Sequence, residues 1–110
     1  MPYTLFEVRF TPEGHDRTLI GPGRDRLCTW IDLVCNDSYG FERYYAEAQK
    51  LIKELRARPH LGKFCEAFGK EDLAKLHQDN FTKFLELVEV HDPNRKFANG
   101  FTRRLFGNGT

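Results

Sequence analysis

The sequence predicts an α+β fold in which a small antiparallel sheet is flanked by helices. Strand-like patterns come first along the chain and amphipathic helical patterns follow, an order that is typical of α+β domains. The chain has 110 residues, of which 40% are apolar, and this is enough for one compact domain but hardly for two. Because only two strands are convincing, we expect the sheet to be incomplete by itself.

The first predicted strand covers residues 3–11, YTLFEVRFT, in which successive side chains alternate between two faces. One face is expected to meet a core, because it is apolar after Thr4 and consists of Phe6, Val8 and Phe10. The opposite face carries two opposite charges, Glu7 and Arg9, which lie two residues apart and therefore project from the same side.

The second predicted strand covers residues 27–35, LCTWIDLVC. It is rich in β-forming residues and almost continuously apolar, with Thr29 and Asp32 as interruptions, so a central position in a sheet is expected. Residues 12–26 between the two strands contain two prolines and three glycines, which indicates a loop.

The first helix is predicted over residues 39–56, where apolar side chains recur at helical spacing after the capping residues Asn36, Asp37 and Ser38. Pro59 is expected to stop this helix, because the residue before a proline is driven out of the α region.

Two further helices are predicted, a brief one in KEDLAKLHQ at residues 70–78 and a longer one over residues 80–91. The Asp92-Pro93 pair ends the longer helix. Residues 92–110 are predicted to be irregular. The whole chain is thus interpreted as a single domain portion.

The charge and cysteine content exclude several classes of protein. Lys and Arg total 17 against 16 Asp and Glu, so no nucleic-acid partner is expected. Three cysteines without C-x-x-C spacing and four scattered histidines indicate neither a disulfide framework nor a metal site. A reducing compartment is expected because the cysteines form no disulfide framework. An intracellular, cytoplasmic location is expected because the sequence has neither an apolar run long enough to span a bilayer nor a signal pattern at its start.

Two groups of polar residues are candidates for a catalytic or binding role, and each also has a purely structural interpretation. Glu7 and Arg9 either form a solvated outer face or line a polar pocket, in which Arg9 would offer a planar fork of donors to oxygen atoms. His60 and Lys63 lie in RPHLGK at residues 58–63. They are either ordinary residues of a helix-ending segment or functional groups.

Three motifs occur in an order that resembles the C-terminal part of the sugar-1,4-lactone oxidases, a family that includes gulonolactone, galactonolactone and arabinonolactone oxidases, with alditol oxidases close by. They are Glu-x-Arg at Glu7 and Arg9, Arg-Pro-His-x-Gly-Lys at residues 58–63, and Asp-Pro followed by Phe-x-Asn-x-Phe at residues 92–101. The resemblance extends from about Phe6 to Phe106. Each motif is weak alone, but the ordered set is specific.

The resemblance implies a fragment of a substrate domain of the vanillyl-alcohol-oxidase type. The parent enzyme would oxidise an alcohol carbon of an aldono-1,4-lactone or alditol by hydride transfer to N5 of FAD. The implied catalytic residues are Arg9 and Lys63, and the implied substrate-binding residues are Glu7, Arg9 and His60. The residues implied to lie near the cofactor are Lys63, His60 and Asn99.

Two departures from the family pattern limit this expectation. Leu61 stands where the family motif has tryptophan, which affects packing beside the flavin. The 110 residues also contain no FAD-binding domain, so FAD is not expected to bind this chain alone and the isolated chain is expected to be inactive. The expected partner is an N-terminal FAD-binding domain, in the same parent chain or as a separate subunit; membrane association of the parent is left open.

The chain is accordingly expected to be an expressed fragment, a truncated gene product or one part of a split enzyme. The alternative is a stand-alone α+β interaction module that keeps the family fold without activity. Such a module would form a homodimer through the unfinished edge of its sheet.

Overall fold

The computed structural model describes residues 4–36 and 40–107. Two strands, β1 (Thr4–Thr11) and β2 (Cys28–Cys35), are followed by the helices α1 (Phe41–Glu54), α2 (Lys70–His77), α3 (Asp79–His91) and α4 (Gly100–Phe106). The α+β class predicted from the sequence is confirmed. The chain divides into two compact units, Met1–Ala67 and Phe68–Thr110.

The first unit contains an antiparallel ribbon of β1 and β2, at nearly the predicted bounds. Its register places Glu7 opposite Asp32, Val8 opposite Ile31 and Arg9 opposite Trp30. Because residues directly opposite each other in an antiparallel pair project to the same side, the ribbon has one largely apolar face and one mixed face that carries the charged side chains. Tyr3, included in the predicted strand, lies outside the described residues.

The apolar face of the ribbon is exposed, and the prediction that it meets a core is wrong for the described part of the chain. Phe6 is 65% exposed, Phe10 72% and Ile31 61%. The prediction of a central position for β2 is also wrong here, since among the described residues β2 pairs only with β1. Alternation determines which side chains share a face, but a covering layer must come from elsewhere in the fold.

Helix α1 begins after Gly40, which adopts φ 93°, a left-handed conformation that glycine accepts readily. No side chain caps its first turn, and Asp37 and Ser38 of the predicted cap lie outside the described residues. The helix ends before Pro59, through a left-handed turn at Arg56 (φ 52°). The Arg56 and Ala57 amides there donate to the carbonyls of Lys53 (3.0 Å) and Ile52 (3.1 Å), the pattern of a Schellman motif.

Tyr44 and Tyr45 on α1 provide a matched test of packing. The Tyr45 hydroxyl accepts a hydrogen bond from the Cys35 amide at 3.3 Å, whereas the buried Tyr44 hydroxyl has no hydrogen-bond partner within the described ranges. We expect Tyr45→Phe to lower the free energy of unfolding by about 1 kcal/mol, and Tyr44→Phe to leave it unchanged or raise it. Urea denaturation of both variants measures this, and the reverse order would contradict it.

The second unit packs α2, α3 and α4 around Leu73, Phe81 and Leu105, each at most 2% exposed. The prediction that residues 92–110 are irregular is wrong at α4 (Gly100–Phe106). Asn99 Oδ1 accepts from the Thr102 amide at 3.0 Å, and Thr102 Oγ1 accepts from the Asn99 amide at 2.8 Å. This reciprocal capping, together with burial of Leu105, stabilises a helix that is too short to show a clear apolar period.

The structure offers no candidate for a membrane span. None of the helices in the described ranges is long and apolar enough to cross a bilayer.

Candidate functional site

The mixed face of the ribbon carries Glu7, Arg9 and Asp32 side by side. Arg9 Nε lies 3.3 Å from Glu7 Oε1, and Arg9 Nη2 donates to Asp32 Oδ2 at 2.7 Å. The strand alternation brings Glu7 and Arg9 to one side of β1, and the register brings Asp32 to the same side from β2. The guanidinium of Arg9 is therefore held between two carboxylates.

Lys63 reaches the same carboxylate from the loop after α1. Its Nζ lies 3.1 Å from Asp32 Oδ1, so the two oxygens of Asp32 serve two different cations. The loop turns tightly at this point, since the Lys63 amide donates to the His60 carbonyl at 3.0 Å. We call Glu7, Arg9, Asp32 and Lys63 the ribbon cluster.

The ribbon cluster combines two positive and two negative charges. Asp32 is its least exposed member, with 22% of its side chain accessible, whereas Arg9 is 61% and Lys63 56% accessible. The hydrogen bonds from Arg9 and then from Lys63 lower the pKa of Asp32. The hydrogen bond to Asp32, followed by the charge of Glu7, raises the pKa of Arg9. Asp32 is thus ionised at neutral pH, and both cations keep donors available to a bound oxygen-rich molecule.

The pH dependence of the ribbon cluster follows from the lowered pKa of Asp32. Because the folded pKa lies below the unfolded one, the unfolded chain binds more protons as the pH falls through the acid range. The stabilisation of the folded state by ionised Asp32 is therefore complete above the ordinary carboxyl pKa, and it is lost as the pH falls through the folded pKa of Asp32.

We accordingly expect the Asp32 carboxyl carbon in an NMR titration to change at lower pH than an ordinary aspartate. Arg9→Met should move that titration upward, because it removes the principal hydrogen bond to Asp32. Arg43→Met, which changes an exposed arginine on α1 outside the cluster, is the control. An Asp32 that titrates alike in the parent chain and in Arg9→Met would contradict the assignment.

His60 and Asn99 have local structural roles. His60 is exposed, and its Nδ1 accepts a hydrogen bond from the Gly62 amide at 3.0 Å, so it shapes the loop that presents Lys63. Asn99 caps α4 in the second unit. Of the residues predicted from the sequence, Glu7 and Arg9 form a direct ion pair, and Lys63 is joined to Arg9 through Asp32. The cofactor roles of His60, Lys63 and Asn99 stay predictions.

Asp32 is the functional candidate that the sequence analysis missed. It stood out only as an interruption of an apolar strand, with no sign of which residue it would face. Asp32 becomes a functional candidate once β2 is paired with β1, because the pairing places it opposite Glu7 and on the same face as Arg9. The register of two strands separated by a long loop is not visible in either strand alone.

The described residues contain no group of three or more His, Cys, Asp or Glu side chains that converge on a metal position. Leu61, at the position of the expected tryptophan, is half-buried.

The structure is an α+β fold whose ribbon carries an exposed cluster of charged side chains. The model of the D-arabinono-1,4-lactone oxidase family matches residues 3–105, and the chain belongs to this family. It is thus a domain of an oxidoreductase family whose members are FAD-dependent in general. Comparisons with curated proteins and with solved structures returned no match.

Proposed function

We propose that this chain is the C-terminal substrate-binding portion of an FAD-dependent oxidoreductase that oxidises an alcohol carbon of an aldono-1,4-lactone or alditol. The observation that carries the proposal is the ribbon cluster. It joins the Glu-x-Arg motif of β1 to the lysine of RPHLGK through Asp32. Two motifs of the oxidase family, far apart in the sequence, thus contribute to one exposed charged surface.

The residues of the cluster suit contact with FAD and substrate held against them by another domain. FAD, when bound, supplies the acceptor for the hydride. Arg9 and Lys63 are more than half exposed, and their donors suit groups that carry oxygen atoms and negative charge. The partner that would hold FAD is the N-terminal FAD-binding domain, in the same parent chain or in a separate subunit.

Each member of the cluster has a distinct role in this proposal. Oxidation of an alcohol removes a hydride from carbon, and the hydroxyl proton passes to water at this exposed surface, so negative charge develops on the oxygen as the proton leaves. Arg9 and Lys63 stabilise that oxygen by donating hydrogen bonds from preorganised positions. Glu7 accepts hydrogen bonds from substrate hydroxyl groups and helps to orient Arg9. Asp32 holds both cations, and His60 shapes the adjacent loop.

Reconstitution tests the proposal directly. The purified chain is mixed with an FAD-binding-domain polypeptide from the same family, and the complex is isolated by gel filtration. We expect a yellow complex whose flavin absorbance decreases when an aldonolactone or alditol is added anaerobically. The FAD-binding domain alone, given the same substrates, is the control. A complex that forms and binds flavin but responds to neither class of substrate would contradict the proposed activity.

A stand-alone interaction module is the second candidate, and the exposed apolar face of the ribbon supports it. Phe6, Phe10 and Ile31 lie on that face and are each more than 60% exposed, and such surfaces mark interaction sites in soluble proteins. Analytical ultracentrifugation discriminates the two candidates. A stable homodimer that takes up neither flavin nor the FAD-binding domain would favour the module.

A further inference from the structure

A cavity of about 220 Å³ lies in the first unit, between the start of β2 and the segment that follows α1. Three arginines line it, Arg26, Arg56 and Arg58, together with Trp30 and Cys28. It shares none of these residues with the ribbon cluster. We call it the arginine pocket.

The backbone around the pocket holds one of its arginines, Arg58, in place. Arg58 is half-buried, and its Nη1 donates to the carbonyls of Pro22 and Arg24, at 3.3 Å each. Arg56 occupies the left-handed position that ends α1, with φ 52°. A left-handed conformation is costly for a residue with a side chain, yet here a pocket-lining arginine stands at the position that glycine usually takes.

The pocket has an excess of positive charge. Neither Arg26 nor Arg56 forms an ion pair in the part of the chain that the structure describes. Burial, followed by the charge of Arg26, lowers the pKa of Arg58. Two carboxylates whose charges act on Arg58, Asp25 and Asp16, accept hydrogen bonds from Arg24 and Thr18. Arg26 and Arg56 thus bring positive charge to the lining of an open cavity, which favours an anion there.

The α1 terminus beside the pocket does not cancel this preference. The carbonyl end of a helix carries partial negative charge, which disfavours anions. Here the carbonyls of Ile52 and Lys53 are already hydrogen-bonded to the amides of Ala57 and Arg56. Each arginine carries a full positive charge, whereas the helix terminus carries only a partial negative one, so the arginines outweigh it.

We propose that the arginine pocket binds a phosphate group. A guanidinium presents its donors in a planar fork that matches two oxygens, so one arginine can satisfy a carboxylate. A phosphate dianion offers three oxygens and a second charge, which suits several guanidinium groups. The phosphate is either free inorganic phosphate or part of an organic molecule. The proposal does not depend on the oxidase function.

The single tryptophan of the chain provides the measurement, because Trp30 lines the pocket. Its fluorescence is followed during titration of the 110-residue chain with inorganic phosphate, a sugar phosphate, pyrophosphate and acetate, at ionic strength held constant with sodium chloride. We expect a saturable change with phosphate compounds that acetate does not reproduce. The tightest phosphate ligand indicates whether the natural source is free phosphate or an organic ester.

Charge-removing variants assign the binding to the pocket. Arg26→Gln and Arg56→Gln should each weaken phosphate binding about tenfold, because each removes a charge-assisted contact. Arg43→Gln, at the opposite end of α1, should have no effect at the same change in net charge. Arg58 is left intact because it also holds backbone carbonyls. Circular dichroism verifies folding, and Arg26→Gln suffices if the Arg56 variant unfolds.

Two outcomes would overturn the proposal. One is a fluorescence response that does not saturate or that chloride and acetate reproduce, which indicates general screening. The other is equal weakening by Arg26→Gln and Arg43→Gln, since phosphate would then respond to net charge and not to the pocket. A second titration by differential scanning fluorimetry covers the case in which binding does not change the fluorescence of Trp30. Phosphate should then still raise Tm by mass action.

Discussion

Replacing Lys63 with methionine is expected to lower kcat of the reconstituted oxidase by about a hundredfold, with a smaller effect on KM. The reason is that Lys63 is an exposed cation fixed by Asp32 at 3.1 Å. It would stabilise the negative charge that develops on the substrate oxygen only as the reaction proceeds. Stopped-flow measurement of flavin absorbance after mixing with substrate gives the rate of the chemical step.

Lys50→Met is the matched control for Lys63→Met. Lys50 is also exposed and also pairs with a carboxylate, Glu47, at 2.8 Å, but it lies on α1 outside the ribbon cluster. Neither substitution should change the free energy of unfolding by more than about 1 kcal/mol, because exposed ion pairs contribute little. Equal rates for the Lys63 and Lys50 variants would refute a catalytic role for Lys63.

Replacing Asp32 with asparagine is expected to lower the same rate by about tenfold to a hundredfold, although Asp32 acts through other residues. Asparagine keeps the size of the side chain but removes the charge that orients Arg9 and Lys63. Small displacements of positioning groups have effects of this size. We assign Asp32 as a positioning residue and not as a group that touches the substrate.

The pH profile separates this positioning role from a purely structural one. In the parent sequence the lowered pKa of Asp32 keeps both ion pairs through neutral pH and releases them only in acid. The rate of the parent enzyme should therefore decrease at low pH, and Asp32→Asn should lose this acid limb of the rate profile. Asp32→Glu should be faster than Asp32→Asn, because it keeps the carboxylate. When added to Asp32→Asn, the change Asn36→Asp, which places a carboxylate directly after the same strand, should not restore the rate. An unchanged acid limb in Asp32→Asn would refute the assignment.

The local patterns of the sequence predicted much of the fold because they follow from backbone geometry. Strands alternate with period two and helices with period 3.6, so β1, β2, α1, α2 and α3 were found near their observed bounds. Helix α4 was missed because it is short, and its capping by Asn99 and Thr102 is a signal of only four residues. The exposure of Phe6 and Phe10 was missed because alternation says nothing about the layer opposite a face.

The sequence by itself determined that Glu7 and Arg9 share a face, and its ordered motifs identified the family. Only the tertiary structure decided that Asp32 lies opposite Glu7, that Lys63 reaches Asp32, and that three arginines meet at one cavity. The physical reason is the range of the interactions. Strand alternation is a property of neighbouring residues, whereas register and loop closure depend on free energies shared between distant segments.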